Sequence, residues 1–422
     1  MADKTFLTKA VVSVVISAGL VALAMSGPKY NIIIKDESGT VQVVYNETET
    51  PEAANANNVV TAEQWKELFP EEYNSYVANG NNTYRVSYIE EDPYITNVYE
   101  GYGFAKDYTS AIAHNYTLED VANTERPHAL ANCLTCKTAD FTALVNTLGV
   151  QAYSMEFDEA YSMVSENVGC YNCHENNLGN GTDAGLTATH DYTVEKLTDD
   201  GIDAKTLVCG QCHIEYYFHS DTKQADTPYD TVEGMSPDAI LEYYNEIGFS
   251  DWVQESTGTG LLKAQHPEME TTLGEGNKHA ALGLTCADCH MAKTVSEDGV
   301  AYTSHELVSP LESEEILNKC ASCHGNTDMA AKVAEIQEAT TAREEEVGMA
   351  LSDLNDKLTE AVASNMYTED ELNELRDLYR SAQWYWDFDY VENSEGAHNS
   401  TLANYCLDTS MDYIEQANAL FK

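Results

Sequence analysis

Hydrophobic positions along this chain change period several times, and each change marks a different kind of segment. Ala10–Met25 is almost continuously apolar and follows Lys4 and Lys9. Such a run is slightly long for the core of a signal peptide and short for a comfortable membrane span. Small residues flank Met25 in Ala24-Met25-Ser26, as a cleavage site requires. Residues 1–28 are therefore predicted to be an export segment, either cleaved as a signal peptide or kept as an N-terminal membrane anchor. Residues 29–60 contain Asn-Glu-Thr-Glu-Thr-Pro and Asn-Ala-Asn-Asn and read as a polar linker. Trp65, Phe69, Tyr73 and Tyr76 then recur at helical spacing. Near the other end, Val347, Leu351, Leu354, Leu358 and Val362 form an amphipathic stripe. Thr368-Glu-Asp-Glu371 is a capping box that opens another helix through Leu372, Leu375 and Leu378, with Trp384, Trp386, Phe388 and Tyr390 beyond. Residues 326–422 are thus expected to hold long helices. Their stripe is expected to pair with a second copy of the chain, making a homodimer.

Between these ends, residues 61–325 are organised by cysteine. Five Cys-x-x-Cys pairs occur: Cys133-Leu-Thr-Cys136-Lys137, Cys170-Tyr-Asn-Cys173-His174, Cys209-Gly-Gln-Cys212-His213, Cys286-Ala-Asp-Cys289-His290 and Cys320-Ala-Ser-Cys323-His324. Cys-x-x-Cys-His is the attachment signature of c-type haem. The thiols bond the porphyrin and the histidine ligates the iron. On a helical turn, positions i, i+3 and i+4 share a side, as that geometry requires. Zinc sites and disulfides give no reason for histidine directly after the second cysteine. With 12 His in 422 residues, four such neighbours out of five are not chance. The remaining cysteine, Cys406, reads as a small apolar core residue. Five haems in 422 residues means one per about 84 residues, so porphyrin must supply much of the buried apolar surface. The expected fold is mainly α with little β: a multihaem cytochrome c wrapped round a five-haem cluster, followed by the long C-terminal helices.

Net charge is −49, from 71 acidic and 22 basic side chains. Nucleic acid is excluded as a partner. The charge reads first as a strongly solvated surface, and an anionic substrate would need a local positive site to enter. Haem attachment agrees with export, which implies a periplasmic or otherwise extracytoplasmic location.

Five irons need ten axial positions, and the motifs supply His174, His213, His290, His324 and Lys137. His114, His128, His190, His219, His266, His279, His305 and His398 remain. Four haems with two imidazoles each would carry electrons. The lysine-bound iron is free to keep its far side open for substrate. Lysine ligates only as the neutral amine, which demands a desolvating pocket. The alternative is a degenerate motif with an ordinary surface Lys137. Arg126 is the sole arginine between residues 86 and 342 and precedes Cys133 by seven residues. It reads as an anion clamp or as a partner for a haem propionate.

With these residues assembled, the chain resembles the ammonia-forming cytochrome c nitrite reductases from about Trp65 to the C-terminus. The resemblance is carried by Cys133–Lys137, by Cys209-Gly-Gln-Cys-His-Ile-Glu-Tyr-Tyr-Phe218 and by Leu262-Lys-Ala-Gln-His-Pro-Glu268. Tyr302-Thr-Ser-His305 and Gln383-Trp-Tyr-Trp-Asp387 extend it. It implies six-electron reduction of nitrite to ammonium at the Lys137-ligated haem, with nitric oxide, hydroxylamine and sulfite also accepted. It implies that Arg126, Tyr216 and His266 line the open face of that haem. It implies one calcium ion, held by side-chain oxygens of Glu215 and Gln265 and by the carbonyls of Tyr216 and Lys263. His114, His279, His305 and His398 are implied as second ligands of the Cys209, Cys320, Cys170 and Cys286 haems. His128, His190 and His219 are left as ordinary surface histidines. A multihaem quinol-oxidising membrane cytochrome, or a soluble multihaem cytochrome, is the implied electron donor. Two other readings stay open: a non-catalytic electron-transfer cytochrome, and a related reductase acting mainly on sulfite or hydroxylamine.

Overall fold

The computed structural model describes residues 51–422 except 54, 82, 128, 179–184 and 191–195, together with the backbone of three strands nearer the N-terminus. Tyr30–Lys35 pairs antiparallel with both Val21–Leu23 and Val41–Tyr45. Two of these strands lie where a polar linker was expected. Ile32, Ile33, Ile34, Val41, Val43 and Val44 are β-branched and favour extended pairing, whereas the linker reading followed the polar residues beyond them. The predicted export segment, residues 1–28, lies outside the described residues apart from the backbone of Val21–Leu23. No helix among the described residues is long and apolar enough to cross a membrane.

The end of the predicted linker is docked on the body. Val59 and Val60 are buried. Asn55 donates to Asp140 at 2.6 Å, and the Val60 amide donates to Asn176 at 2.9 Å. Composition does not reveal such contacts, because the same amide side chains that suit a linker also suit a hydrogen-bonded strap. Next come two short helices, Ala62–Trp65 and Pro70–Ala78. The aromatic spacing suggested one. Pro70 opens the second, because a first-turn position needs no N–H donor.

Helices make up 56% of the fold. Strands in the body are short antiparallel pairs, such as Tyr217–Phe218 with Ala225–Asp226 and Trp252–Val253 with Gly260–Leu261. The chain ends in three helices, Met329–Ser364, Glu369–Tyr390 and Ser400–Leu420. Asp328 caps the first, and Asn365 closes it in the left-handed region at φ 58°. The Thr368–Glu371 capping box opens the second, with the Glu371 carboxylate accepting the Thr368 amide at 2.8 Å. Asn399 caps the third, which the apolar pattern had not shown.

That third helix changes what the stripe does. Val347, Leu351, Leu354 and Leu358 are buried against Leu372, Leu375, Tyr379, Leu407 and Ile414 of the same chain. Each such leucine contributes about 1.5–3 kcal/mol of burial. The stripe is therefore filled internally, and pairing of two copies, where it was expected, would have to use other surface. The third helix escaped prediction because its buried face is built from small residues, Ala403, Cys406, Ser410 and Ala417. On its other side the first helix passes close to Tyr94 at Gly348, where a Cβ would lie 2.3 Å from the Tyr94 ring.

The middle helix is a wall shared by two cores. Trp384 and Phe388, one turn apart, pack with Leu134, Phe141 and Tyr244 of the haem-bearing body. Leu375, Tyr379, Ala382 and Trp386 face the C-terminal bundle and Ile95, Val98 and Tyr99. Gln383 and Asp387, again one turn apart, lie between the two faces and point at residues 262–264.

Candidate active site

Four motif histidines meet a second imidazole. Ring centres are 6.2 Å apart for His114 and His213, and 6.4 Å for His174 and His305. They are 6.0 Å apart for His279 and His324, and 6.1 Å for His290 and His398. Two metal–nitrogen bonds of about 2.0–2.1 Å, plus roughly 1.1 Å from each nitrogen to its ring centre, give about 6.3 Å. The spacing thus fits an iron between each pair. Several of these rings are anchored through Nδ1, which leaves Nε2 for a metal. His305 Nδ1 lies 2.9 Å from the Thr303 carbonyl, His290 Nδ1 3.1 Å from that of Val308, and His398 Nδ1 2.6 Å from Glu392. Burial draws His114 down to about 4 and also lowers His305 and His290, so these imidazoles stay neutral, as ligands must.

His213 has a second neighbour, since His266 lies 6.3 Å from it. The Nδ1 edge of His213 is turned to Glu268, 3.7 Å away and in the same segment as His266. Its Nε2 edge is left for the His114 side.

The Cys133–Lys137 motif is built differently. Its first residues form a short 3-10 turn, Ala131–Leu134, and the Lys137 amide closes back on Leu134 at 3.0 Å. Thr117 donates to the Lys137 carbonyl at 2.6 Å and lies 3.0 Å from that of His114, tying the two backbones together. Lys137 is half-buried. Its charge reaches both His114 and His266. Burial, chiefly, draws His266 down to about 4, with Glu268 opposing and Lys137, His213 and Lys263 adding. Burial pushes the Cys133 thiol up, while the Arg126 and Lys137 cations pull the other way. Burial also holds the Tyr216 phenol well above its ordinary value, with Cys136, Cys133, Glu215 and Tyr102 adding, so Tyr216 remains a donor. Arg126, Tyr216 and His266 thus each interact electrostatically with a residue of the Cys133–Lys137 motif.

Behind Tyr216 and His266 lies a knot of buried carboxylates. Glu215 accepts the Gln265 amide at 2.6 Å and the Tyr244 hydroxyl at 2.9 Å, and its own amide donates to Glu270 at 2.8 Å. Gln265 Nε2 lies 2.8 Å from the Lys263 carbonyl, and the Lys263 amide donates to Asp251 at 2.8 Å. Burial raises Glu215 well above the carboxylate range, Asp251 to about 7 and Glu270 to about 8. A bound cation would relieve that crowding. The Glu215 carboxylate, the Gln265 amide and the Tyr216 and Lys263 carbonyls are hard oxygen donors of the kind calcium takes.

Asp387 positions this segment, a role sequence reasoning did not give it. Its carboxylate accepts the Ala264 amide at 3.0 Å and the Lys263 ammonium at 3.0 Å, and takes bonds from Tyr99 and from Gln383 at 3.2 Å. Polar Gln383 and Asp387 at i and i+4 inside an aromatic run were the available signal. Glu392 and Glu268, which orient His398 and face His213, were likewise unassigned.

His190 corrects an expectation. It is 4% exposed, and its ring nitrogen and the sulfurs of Cys136 and Cys212 lie within 4.8 Å of one another. Gln211, inside the third motif, accepts the amides of Thr189 at 2.7 Å and His190 at 3.2 Å and so draws the segment inward. A surface histidine was predicted because a side-chain-to-backbone bond of this kind leaves no pattern in sequence. His219 is partly exposed and sits 3.0 Å from Asp226. His128 lies outside the described residues.

Haem-attachment signatures in a mainly helical chain, four of them facing a second imidazole, define a multihaem c-type cytochrome. A sequence model of the cytochrome c552 family matches residues 61–422, and the chain belongs to that family. Cytochrome c-552 from Haemophilus influenzae strain Rd is 29% identical over 429 residues, covering 90% of this chain and 77% of the relative. The protein of the same name from strain 86-028NP matches equally. Among solved structures, the cytochrome c nitrite reductase of Desulfovibrio desulfuricans superposes with a TM-score of 0.78 at 27% identity, covering 87% of each chain. That structure is described for two calcium sites in its catalytic subunit.

Proposed function

We propose that this cytochrome reduces nitrite to ammonium at the haem of Cys133 and Cys136, with Lys137 as the protein ligand of its iron. The observation that carries the reading is the contrast between motifs. Four have an imidazole opposite, whereas the fifth has Arg126, Tyr216 and His266 gathered near it. The overall conversion takes one nitrite, eight protons and six electrons to one ammonium and two waters. When bound, the haems supply the electrons and, at one iron, a position for the substrate nitrogen. Arg126 supplies fixed positive charge for the nitrite oxygens. His266, neutral in the resting pocket, and Tyr216, protonated throughout, donate hydrogen bonds and pass protons as the N–O bonds break. Glu215, Gln265, Tyr216 and Lys263 would hold a calcium ion whose charge offsets the surrounding acids.

The same reading makes the protein an exported, extracytoplasmic enzyme fed by a multihaem cytochrome that oxidises quinol in the membrane or is soluble. A homodimer is proposed through the exposed first turns of Met329–Ser364, since the Val347–Leu358 stripe is filled internally.

The test is ammonium formed from nitrite with a reduced dye as donor. Wild type is expected to turn over, and Lys137→His to lose rate by about 10-fold or more, since an imidazole would replace the amine as the protein ligand of the iron. No ammonium from fully haem-loaded wild type would leave an electron carrier in its place.

A further inference from the structure

Arg126 lies outside every haem motif, so something else must fix it, and the chain builds a seat. Its stem crosses Gly103, where an added Cβ would sit 3.5 Å from Arg126 Cβ and Cγ. Arg126 Nε donates to the Thr124 hydroxyl at 3.1 Å. That hydroxyl donates in turn to Asp107 at 2.7 Å, and the same carboxylate oxygen accepts the Glu125 amide at 2.7 Å. The guanidinium carbon lies 4.3 Å from the centre of the Phe104 ring. Phe104 is itself clamped, edge-on to Tyr108 at 4.8 Å and stacked on Tyr102 at 5.7 Å. Lys263 Nζ lies 5.0 Å from the centre of the same ring, and Asp387 holds that ammonium at 3.0 Å. One phenyl ring thus braces two cations, one on the substrate side and one behind the calcium-type oxygen cluster.

We propose that Phe104, with Gly103 and the Asp107–Thr124 bond, is the device that positions Arg126 and thereby makes the site favour an anion over an uncharged nitrogen substrate. The proposal rests on the reading that Arg126 faces substrate. Its logic is electrostatic. The Thr124 hydroxyl and the Phe104 ring set the direction of the guanidinium and add no charge of their own. In a chain of net charge −49, with Asp107 and Glu125 close by, an unseated guanidinium would swing to a carboxylate. Nitrite would then lose its counter-charge, whereas hydroxylamine, which is neutral, would not.

The experiment compares haem-loaded wild type with Phe104→Leu, Phe104→Tyr and Thr124→Val. Nitrite is titrated into the oxidised proteins and followed by haem absorbance, and kcat and KM are measured for nitrite and for hydroxylamine. Phe104→Leu is expected to weaken nitrite binding and raise its KM about 10-fold, with hydroxylamine KM changed less than about twofold. Phe104→Tyr should retain the wild-type values. Equal losses on both substrates, or unchanged nitrite binding, would overturn the proposal. If Phe104→Leu loads haem poorly, Thr124→Val decides by the same comparison, because it removes one bond to Nε at nearly constant volume. Wild type that binds nitrite yet forms no ammonium would defeat the functional reading alone, since the binding titration still reports on the seat.

Discussion

The lysine motif and the four histidine motifs share the Cys-x-x-Cys pair but differ in the residue that follows it and in what lies near it. Across from His174, His213, His290 and His324 the chain returns an imidazole from far away in sequence, from His305, His114, His398 and His279. Around Cys133–Lys137 it gathers a guanidinium, a phenol and a buried histidine, with an acidic oxygen cluster behind. The segments that come to lie near each motif thus differ as much as the motifs themselves.

The most damaging way to break this contrast is Arg126→Leu. It should lower kcat/KM for nitrite by about 10²–10³-fold, since one oriented donor is lost where charge develops. The low-spin signals of the four paired haems should be unchanged. A signal that moved with the activity would erase the distinction between the two kinds of motif.

Glu392→Gln probes the conducting side with a smaller effect. The Glu392 carboxylate, 2.6 Å from His398 Nδ1, makes that imidazole a stronger donor. Its loss should raise the midpoint potential of the Cys286 haem, by the equivalent of about 10-fold in ligand strength. Redox titration should show one haem displaced and steady-state nitrite affinity intact.

The gentlest test lies outside both kinds of motif. Burial lifts Asp389 to about 7, with Glu392 adding and the bond from Glu344 opposing. A carboxyl raised in the folded protein keeps a proton that the unfolded chain gives up. Its destabilising effect is absent below the unfolded value near 3.8 and grows as pH climbs to about 7. Urea midpoints of the haem-loaded protein should therefore fall over that window, and Asp389→Asn should make the fall shallower, with Asp251 and Glu270 supplying the rest. A slope identical to wild type would remove Asp389 from the titrating groups.

Much of this was readable from the residues because haem attachment needs a fixed local spacing, and Cys-x-x-Cys-His states it outright. The capping box at Thr368 was readable for the same reason, since both partners lie within four residues. What could not be read is what distant segments bring. The Phe104 seat joins residues 103–107 to 124–126 through bonds with no periodic trace. Gln211 buries His190 by holding a backbone, which any sequence between the motifs would permit. The small-residue face of Ser400–Leu420 hid a helix that covers the stripe offered for self-association.

Gln383, Asp387 and His398 come after every cysteine pair in order of synthesis. The segment leading to His266, and the imidazole opposite His290, therefore depend on residues 383–398. The carboxyl-terminal helices are thus needed to complete contacts of residues more than a hundred positions earlier, Ala264 and His290 among them.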